Sequence, residues 1–226
     1  ICYRLKVSHG NIESPGCMCY ICFIMAHQIY QTEGIVLRKK NFGEADCFFY
    51  LLTEKFGMIK AAAKGARLEK SKLRGAIDLF SRTHIGFIAG KESYRLTHAD
   101  LVQGYPLLHE DTARYRALGC VADMFRRSVA DGEGDDALWA LLLEAFSLFS
   151  EEVFQEEAVP LYIRSFEIKF LKQLGYLPET MPHAARSAVS APLRDAPSTL
   201  TMADVEGLFP FLEPLLCYAV AQRYML

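Results

Sequence analysis

Between Lys60 and Arg74 the chain carries six cations, Lys60, Lys64, Arg67, Lys70, Lys72 and Arg74, against a single anion, Glu69. A cluster of cations this dense can act without covalent chemistry. Their chemistry is neutralisation of a polyanion: each cation displaces a counterion from a phosphate, so several together bind a nucleic-acid backbone in a salt-dependent way. Gly65 allows a sharp backbone turn inside the run, which lets the loop approach a ligand closely. Upstream, Arg38, Lys39 and Lys40 extend the charge. Single strands bind along grooves that combine cations for phosphates with aromatic faces for bases. Phe42, Phe48, Phe49, Tyr50, Phe80, Phe87 and Tyr94 supply aromatics nearby, although most must fill a core. The plain alternative is a solvated loop whose lysines and arginines only keep it in solution.

Signals of catalysis are missing. The sequence contains no GxSxG, GxxxxGK[ST], HExxH or dinucleotide fingerprint. His27, His84, His98, His109 and His183 are scattered and read as surface or core histidines. The carboxylates of 131–136 and 151–157 read as solvated caps between helices. Cys17, Cys19 and Cys22 form a CxCxxC cluster with three readings. It could be a zinc site completed by Cys2 or His27, or part of a signal peptide on the apolar stretch 17–25. The third reading is translation carried upstream of a true start at Met25. Structural zinc sites usually use two separated ligand pairs, and no A-x-A-like cleavage site follows. Residues 1–24 are therefore expected to be an upstream or non-native extension. Cys47, Cys120 and Cys217 read as buried thiols of a reduced, cytoplasmic protein. No enzyme activity, metal or other cofactor is expected.

The cationic run belongs to a basic half. Residues 25–105 hold thirteen Lys/Arg against eight Asp/Glu, a balance of +5; residues 106–226 hold ten against eighteen, a balance of −8. The overall charge of −2 conceals this split, which suggests a polyanion-binding part joined to a part with another task. With 51% hydrophobic and 23% charged residues the chain can bury a core. No apolar run reaches the roughly 18 residues that span a bilayer.

Five short strand-like segments position the cations: 34–40, 46–52, 58–63, 83–89 and 93–98, separated by Gly-containing turns. Five strands with a long loop after the third suit an OB-fold, and an SH3-like barrel competes on pattern alone. The acidic half reads as helices. Apolar stripes run through 111–129, through 137–149 capped by Asp135 or Asp136, and through 158–174, which stops at Gly175. Residues 178–201 read as a loop or linker, and 202–226 as helix broken by Pro210 and Pro214. The expected fold is α+β: a five-stranded barrel over 25–105, then a helical bundle over 106–226.

The segments Asn41–Asp46 (NFGEAD), Leu52–Gly57 (LTEKFG) and Ala63–Arg67 (AKGAR), with Lys70-Ser71 and Gly75 after them, resemble the amino-terminal domain of the RecO family. Phe166–Glu179 (FEIKFLKQLGYLPE) resembles that family's helix ending in a Leu-Gly-Tyr-x-Pro turn. The likeness implies an amino-terminal OB-fold and a helical carboxy-terminal domain. It implies binding of single- and double-stranded DNA, annealing of complementary strands, and partnership with RecR and single-strand-binding protein. It further implies help in loading RecA, in a bacterial cytoplasm at the nucleoid. Many relatives carry a four-cysteine zinc module after the Gly-Tyr-x-Pro turn. Residues 178–201 hold no cysteine here, so no zinc site is expected there. A second class of function is a scaffold whose helices bind proteins while the barrel is structural. Arg126 and Arg127 beside Met124 and Phe125 could then receive an acidic, apolar tail, although a salt-bridged helix surface is the plainer reading of the same residues.

Overall fold

The first strand does the work of two. β1 (Ile29–Phe42) pairs antiparallel through its first half with β4 (Arg82–Ile88) and through its second half with β2 (Asp46–Thr53). β3 (Gly57–Ala63) continues from β2, and β5 (Tyr94–Gln103) pairs antiparallel with β4 and parallel with β3. The closed order β1-β2-β3-β5-β4 is that of an OB barrel, which decides against the SH3-like alternative. This structure, a computed structural model, describes residues 28–223 except 91, 92, 131 and 133. The Cys17–Cys22 cluster and its three readings lie outside the described residues.

Period-two alternation fills the barrel. Val36, Phe49, Leu51, Ile59, Ala61, Ile85, Phe87 and Leu96 point inward. Ile35, Leu37, Leu52 and Met58 belong instead to the core of the helical half, together with Phe80. The helices are α1 (Leu107–Glu110), α2 (Thr112–Ser128), α3 (Asp136–Phe149), α4 (Val159–Gln173), α5 (His183–Ser190), α6 (Ala196–Thr199) and α7 (Met202–Arg223). Asp111 caps α2 by accepting from the amides of Ala113 and Arg114, and Asp135 caps α3 in the same way. α4 closes in a Schellman motif, in which the Tyr176 amide donates to Leu171 and the Gly175 amide to Lys172. Phe125, Phe146, Phe149, Phe166 and Phe170 are buried at the centre.

Three expectations are corrected. Residues 178–201 are not a loop: they form α5, a 3-10 turn (Leu193–Asp195) and α6. Their alanines read as linker composition, but Ala185, Ala188 and Ala196 are buried with Leu193 and Leu200. The Leu193 amide also donates to the Glu144 carboxylate at 2.7 Å. Pro210 and Pro214 do not break α7. Their spacing of four places both on the exposed side, while Leu208, Leu212 and Ala219 are buried. The carbonyls left without an amide partner therefore meet water, and packing on α2 and α4 outweighs the roughly 3 kcal/mol proline penalty. Of the three described cysteines only Cys47 is buried; Cys120 and Cys217 are exposed on α2 and α7.

Candidate nucleic-acid interface

One inserted residue decides which way the cations of β1 face. Val36 pairs with Leu51, but Arg38, not Leu37, pairs with Tyr50. Leu37 is thus a bulge, and the register beyond it moves by one. Without it Arg38 would sit opposite Phe49, which is inside the barrel. A one-residue slip turns every later side chain to the other face. With the bulge, Leu37 joins Ile35 against the helices, while Arg38, Lys40 and Phe42 face outward.

The outer face beyond the bulge consists of short cross-strand rows. Arg38, Tyr50 and Lys60 make one, and Lys40, Phe48 and Ala62 the next. Phe42 packs edge-on against Phe48 with ring centres 5.2 Å apart. Lys60 Nζ lies 4.7 Å from the centre of the Phe48 ring and 6.0 Å from that of Tyr50, within the range of a cation–π contact. Phe42 is 58% exposed, too much for a core residue and well placed for a base to stack on. Lys39 points the other way. It lies 6.0 Å over Phe49 and pairs with Asp78 at 2.9 Å.

The loop from β3 to β4 adds more cations at the end of the barrel. Gly65, at φ +63°, donates its amide to Asp46 Oδ1 at 2.7 Å, and the Arg67 amide donates to the Ala45 carbonyl at 2.9 Å. A β-branched or bulky residue at 65 would be strained in that conformation. Ala66 and Ile77 are buried in the barrel core, so the loop is fastened at both ends and caps the barrel. Between those anchors a chain of turns (Leu68 amide to Gly65, Ser71 to Leu68, Arg74 to Ser71) turns Lys64, Arg67, Lys70, Lys72 and Arg74 to solvent. Lys39, Arg67, Arg74 and Asp78 line a shared hollow of about 450 Å³ where the loop meets the end of β1 and β2.

Charge pairing divides the cations into two sets. Among the described residues, Arg38, Lys40, Lys60, Lys64, Lys70, Lys72 and Arg74 make no salt bridge, whereas Arg114, Arg126, Arg127, Arg164 and Arg194 of the helical half all pair with carboxylates. The first set keeps its charge available to an anion. The second is committed within the fold.

The four residues expected to receive a partner do not stay together. Phe125 is fully buried against Phe166 and Phe170, which corrects its assignment to a docking surface. Arg126 and Arg127 both pair with Asp123. Met124 and Arg127 line a shallow groove of about 780 Å³ between α2 and α7, with Arg116, Ile163, Leu216 and Val220. Arg116 and Leu216 went unnoticed in the sequence, because only the packing of α7 beside α2 makes them neighbours. The scattered reading of the histidines also fails for two of them: the ligand atoms of His84, His98 and Asp100 lie within 4.8 Å of one another. The signal was present in sequence as positions of one parity on two paired strands, but it needed the β4–β5 register.

Known proteins share both halves. The model described as Recombination protein O N terminal matches residues 25–105, and that described as Recombination protein O C terminal matches residues 109–199. The DNA repair protein RecO of Heliobacterium modesticaldum is 33% identical over 152 residues, which are 67% of this chain and 54% of that protein. The protein of the same name from Symbiobacterium thermophilum is 30% identical over 150 residues, 66% of this chain and 58% of that one. That from Pelotomaculum thermopropionicum is 30% identical over 168 residues, 74% and 63% respectively. The chain therefore spans rather more than half the length of these relatives. With the OB barrel, helices α2 to α6 and the ordered run of motifs inside the matched regions, the chain belongs to the RecO family.

Proposed function

We propose that this chain is a non-catalytic recombination mediator that binds single-stranded DNA on the outer face of β1–β2–β3 and on the β3–β4 loop. One observation carries the reading: Arg38, Lys40 and Lys60, which make no salt bridge among the described residues, stand beside the exposed Phe42 and the half-buried Phe48 on the outer face of β1–β2–β3 of an OB barrel. The strands β2 and β3 are the face that OB-folds commonly offer to oligonucleotides. Arg38, Lys40, Lys60, Lys64, Arg67, Lys70, Lys72 and Arg74 supply charge for phosphates, while Phe42, Phe48 and Tyr50 offer faces to bases. Lys39 contributes less, because Asp78 already holds it.

Annealing follows from the same surface. Two strands repel through their phosphates; a cationic face lowers that repulsion and leaves base edges free to find complements. Double-stranded DNA, with its higher charge density, is a second target. In the cell this activity would serve DNA repair beside RecR and help RecA replace single-strand-binding protein. In the groove between α2 and α7 the apolar lining and Arg116 favour an acidic, apolar tail of single-strand-binding protein, while Asp123 and Glu167, which line it too, oppose one. The groove also supports the second reading, a scaffold that binds proteins through its helices while the barrel is structural.

A gel shift with a single-stranded oligonucleotide at several salt concentrations tests the proposal. If about five phosphates are neutralised, log K against log salt falls with a slope of roughly −3.5. Lys64→Glu with Arg67→Glu is expected to lower affinity on the order of tenfold or more at moderate salt. A slope near zero, or undiminished DNA binding in the double variant, leaves the scaffold as the better reading.

A further inference from the structure

We propose that His84, His98 and Asp100 form a binding site for a late first-row divalent cation of the zinc type on the outer face of β4–β5. His84 lies directly opposite Asp100 across the strand pair, and His98 stands two residues before Asp100 on β5. All three therefore share one face. The ring centres of His84 and His98 are 6.1 Å apart, with planes inclined by 38°. Two imidazoles on one zinc ion, with bonds of about 2.0–2.1 Å, place their ring centres roughly 5–6 Å apart. The ligand atoms, all within 4.8 Å of one another, close on an ion by side-chain rotation without movement of the strands.

The backbone is shaped for this arrangement. A Cβ on Gly86 would stand 2.1 Å from His98 Cε1 and 2.3 Å from Nδ1. The His98 ring therefore lies over the bare backbone of β4 and reaches toward His84, and any side chain at 86 would push it away. Register shifts on either side, between Arg82 and Thr83 and between Gly86 and Phe87, frame the paired segment that carries the ligands. Bulges of this kind re-aim side chains. Both histidines are half-buried and Asp100 is exposed.

The donor set indicates the ion. Two imidazoles and one carboxylate suit zinc and its neighbours better than calcium or magnesium, which prefer all-oxygen shells. Three protein ligands leave a coordination position open to solvent. The ion would fasten β4 to β5, apart from the cationic surface on β1–β2–β3, so the site stands or falls independently of DNA binding.

Cobalt(II) chloride added to the full chain is the first probe, because its visible spectrum reports ligand type. Expected is one equivalent bound with d–d bands, displaced by zinc chloride. His84→Gln and His98→Gln should each weaken binding at least tenfold, with those bands lost in the double variant. Gly86→Ala, which changes no ligand, should also weaken it by displacing the His98 ring. Should a ligand variant lose stability without metal, proton NMR of the unaltered chain gives a second reading: one equivalent of zinc must shift the ring signals of His84 and His98. Cobalt bands that persist in the double variant, or zinc that leaves both ring signals in place, overturns the site.

Discussion

Phe48 and Lys60 touch each other and yet are expected to fail differently when removed. A ring that stacks on a base contributes about 1–3 kcal/mol without displacing counterions. Phe48→Ala should therefore weaken single-strand binding by roughly tenfold or more while leaving the salt slope as it was. Lys60→Gln should instead flatten the slope by about 0.7, the contribution of one phosphate on a single strand. Fluorescence anisotropy titrations at four salt concentrations separate the two effects. Equal slopes in the Lys60 variant and its parent would remove Lys60 from the phosphate contacts. The sequence identified Lys60 as a cation and Phe48 as an aromatic, but it could not tell Phe48 from Phe49. Neighbours on a strand face opposite sides, and only the pairing shows which side is the inside.

Elements are set by a few local devices, some legible in the sequence and others not. Asp111 opens the apolar stripe read from the sequence as a helix, but its role as the cap of α2 comes from the structure, and its chemistry extends further. Burial raises its pKa, but the amides of Arg114 and Ala113 and the Arg114 guanidinium outweigh that and hold the carboxyl below the ordinary aspartate range. Arg114 is itself buried and donates to the carbonyls of Phe149 and Glu151, tying the start of α2 to the end of α3. A carboxyl with a depressed folded pKa stabilises the fold above its unfolded pKa and loses that contribution as pH falls through the folded value. Asp111→Ala should cost about 1 kcal/mol near pH 7, and the gap from the parent should close in acid as Asp111 protonates. Urea unfolding of both proteins from pH 7 down to pH 3 checks this; a gap that widens in acid would contradict it. The Leu37 bulge had no comparable signal, since a run of Ile-Val-Leu before three cations reads as an unbroken strand.

At the scale of the whole molecule, the barrel and the helices are two halves of charge, and the barrel, besides its own core, buries part of its outer face in the core of the helices. Ile35, Leu37, Leu52, Met58 and Phe80 of the barrel half are buried in the same cluster as Leu118, Phe125 and Phe146. Cutting the chain near residue 105 would expose that outer face, and exposed apolar surface of this kind drives association. Residues 25–105 expressed alone are expected to aggregate or to self-associate on size-exclusion chromatography, whereas the full chain unfolds in one cooperative transition. A monomeric, well-folded isolated barrel would show that the shared core is dispensable. The arrangement also divides one sheet face by function. Its part before the bulge packs on the helices, and its part beyond the bulge presents cations and rings to solvent.

Composition, periodicity and capping residues determined most of the elements, because each depends on a few neighbours along the chain. Charge distribution located the cationic loop for the same reason: like charges crowded into fifteen residues stay together however the chain folds. Tertiary structure alone decided the rest. It turned Arg38 and Lys40 outward through one inserted residue and placed Phe125 in the core. It also made helices of a segment that reads as linker, and carried α7 straight through two prolines. It brought His84 to His98 across a strand pair whose register no local pattern encodes. The physical reason is common to all of these. Which face a side chain occupies depends on partners distant in sequence, and burial against them outweighs local preference.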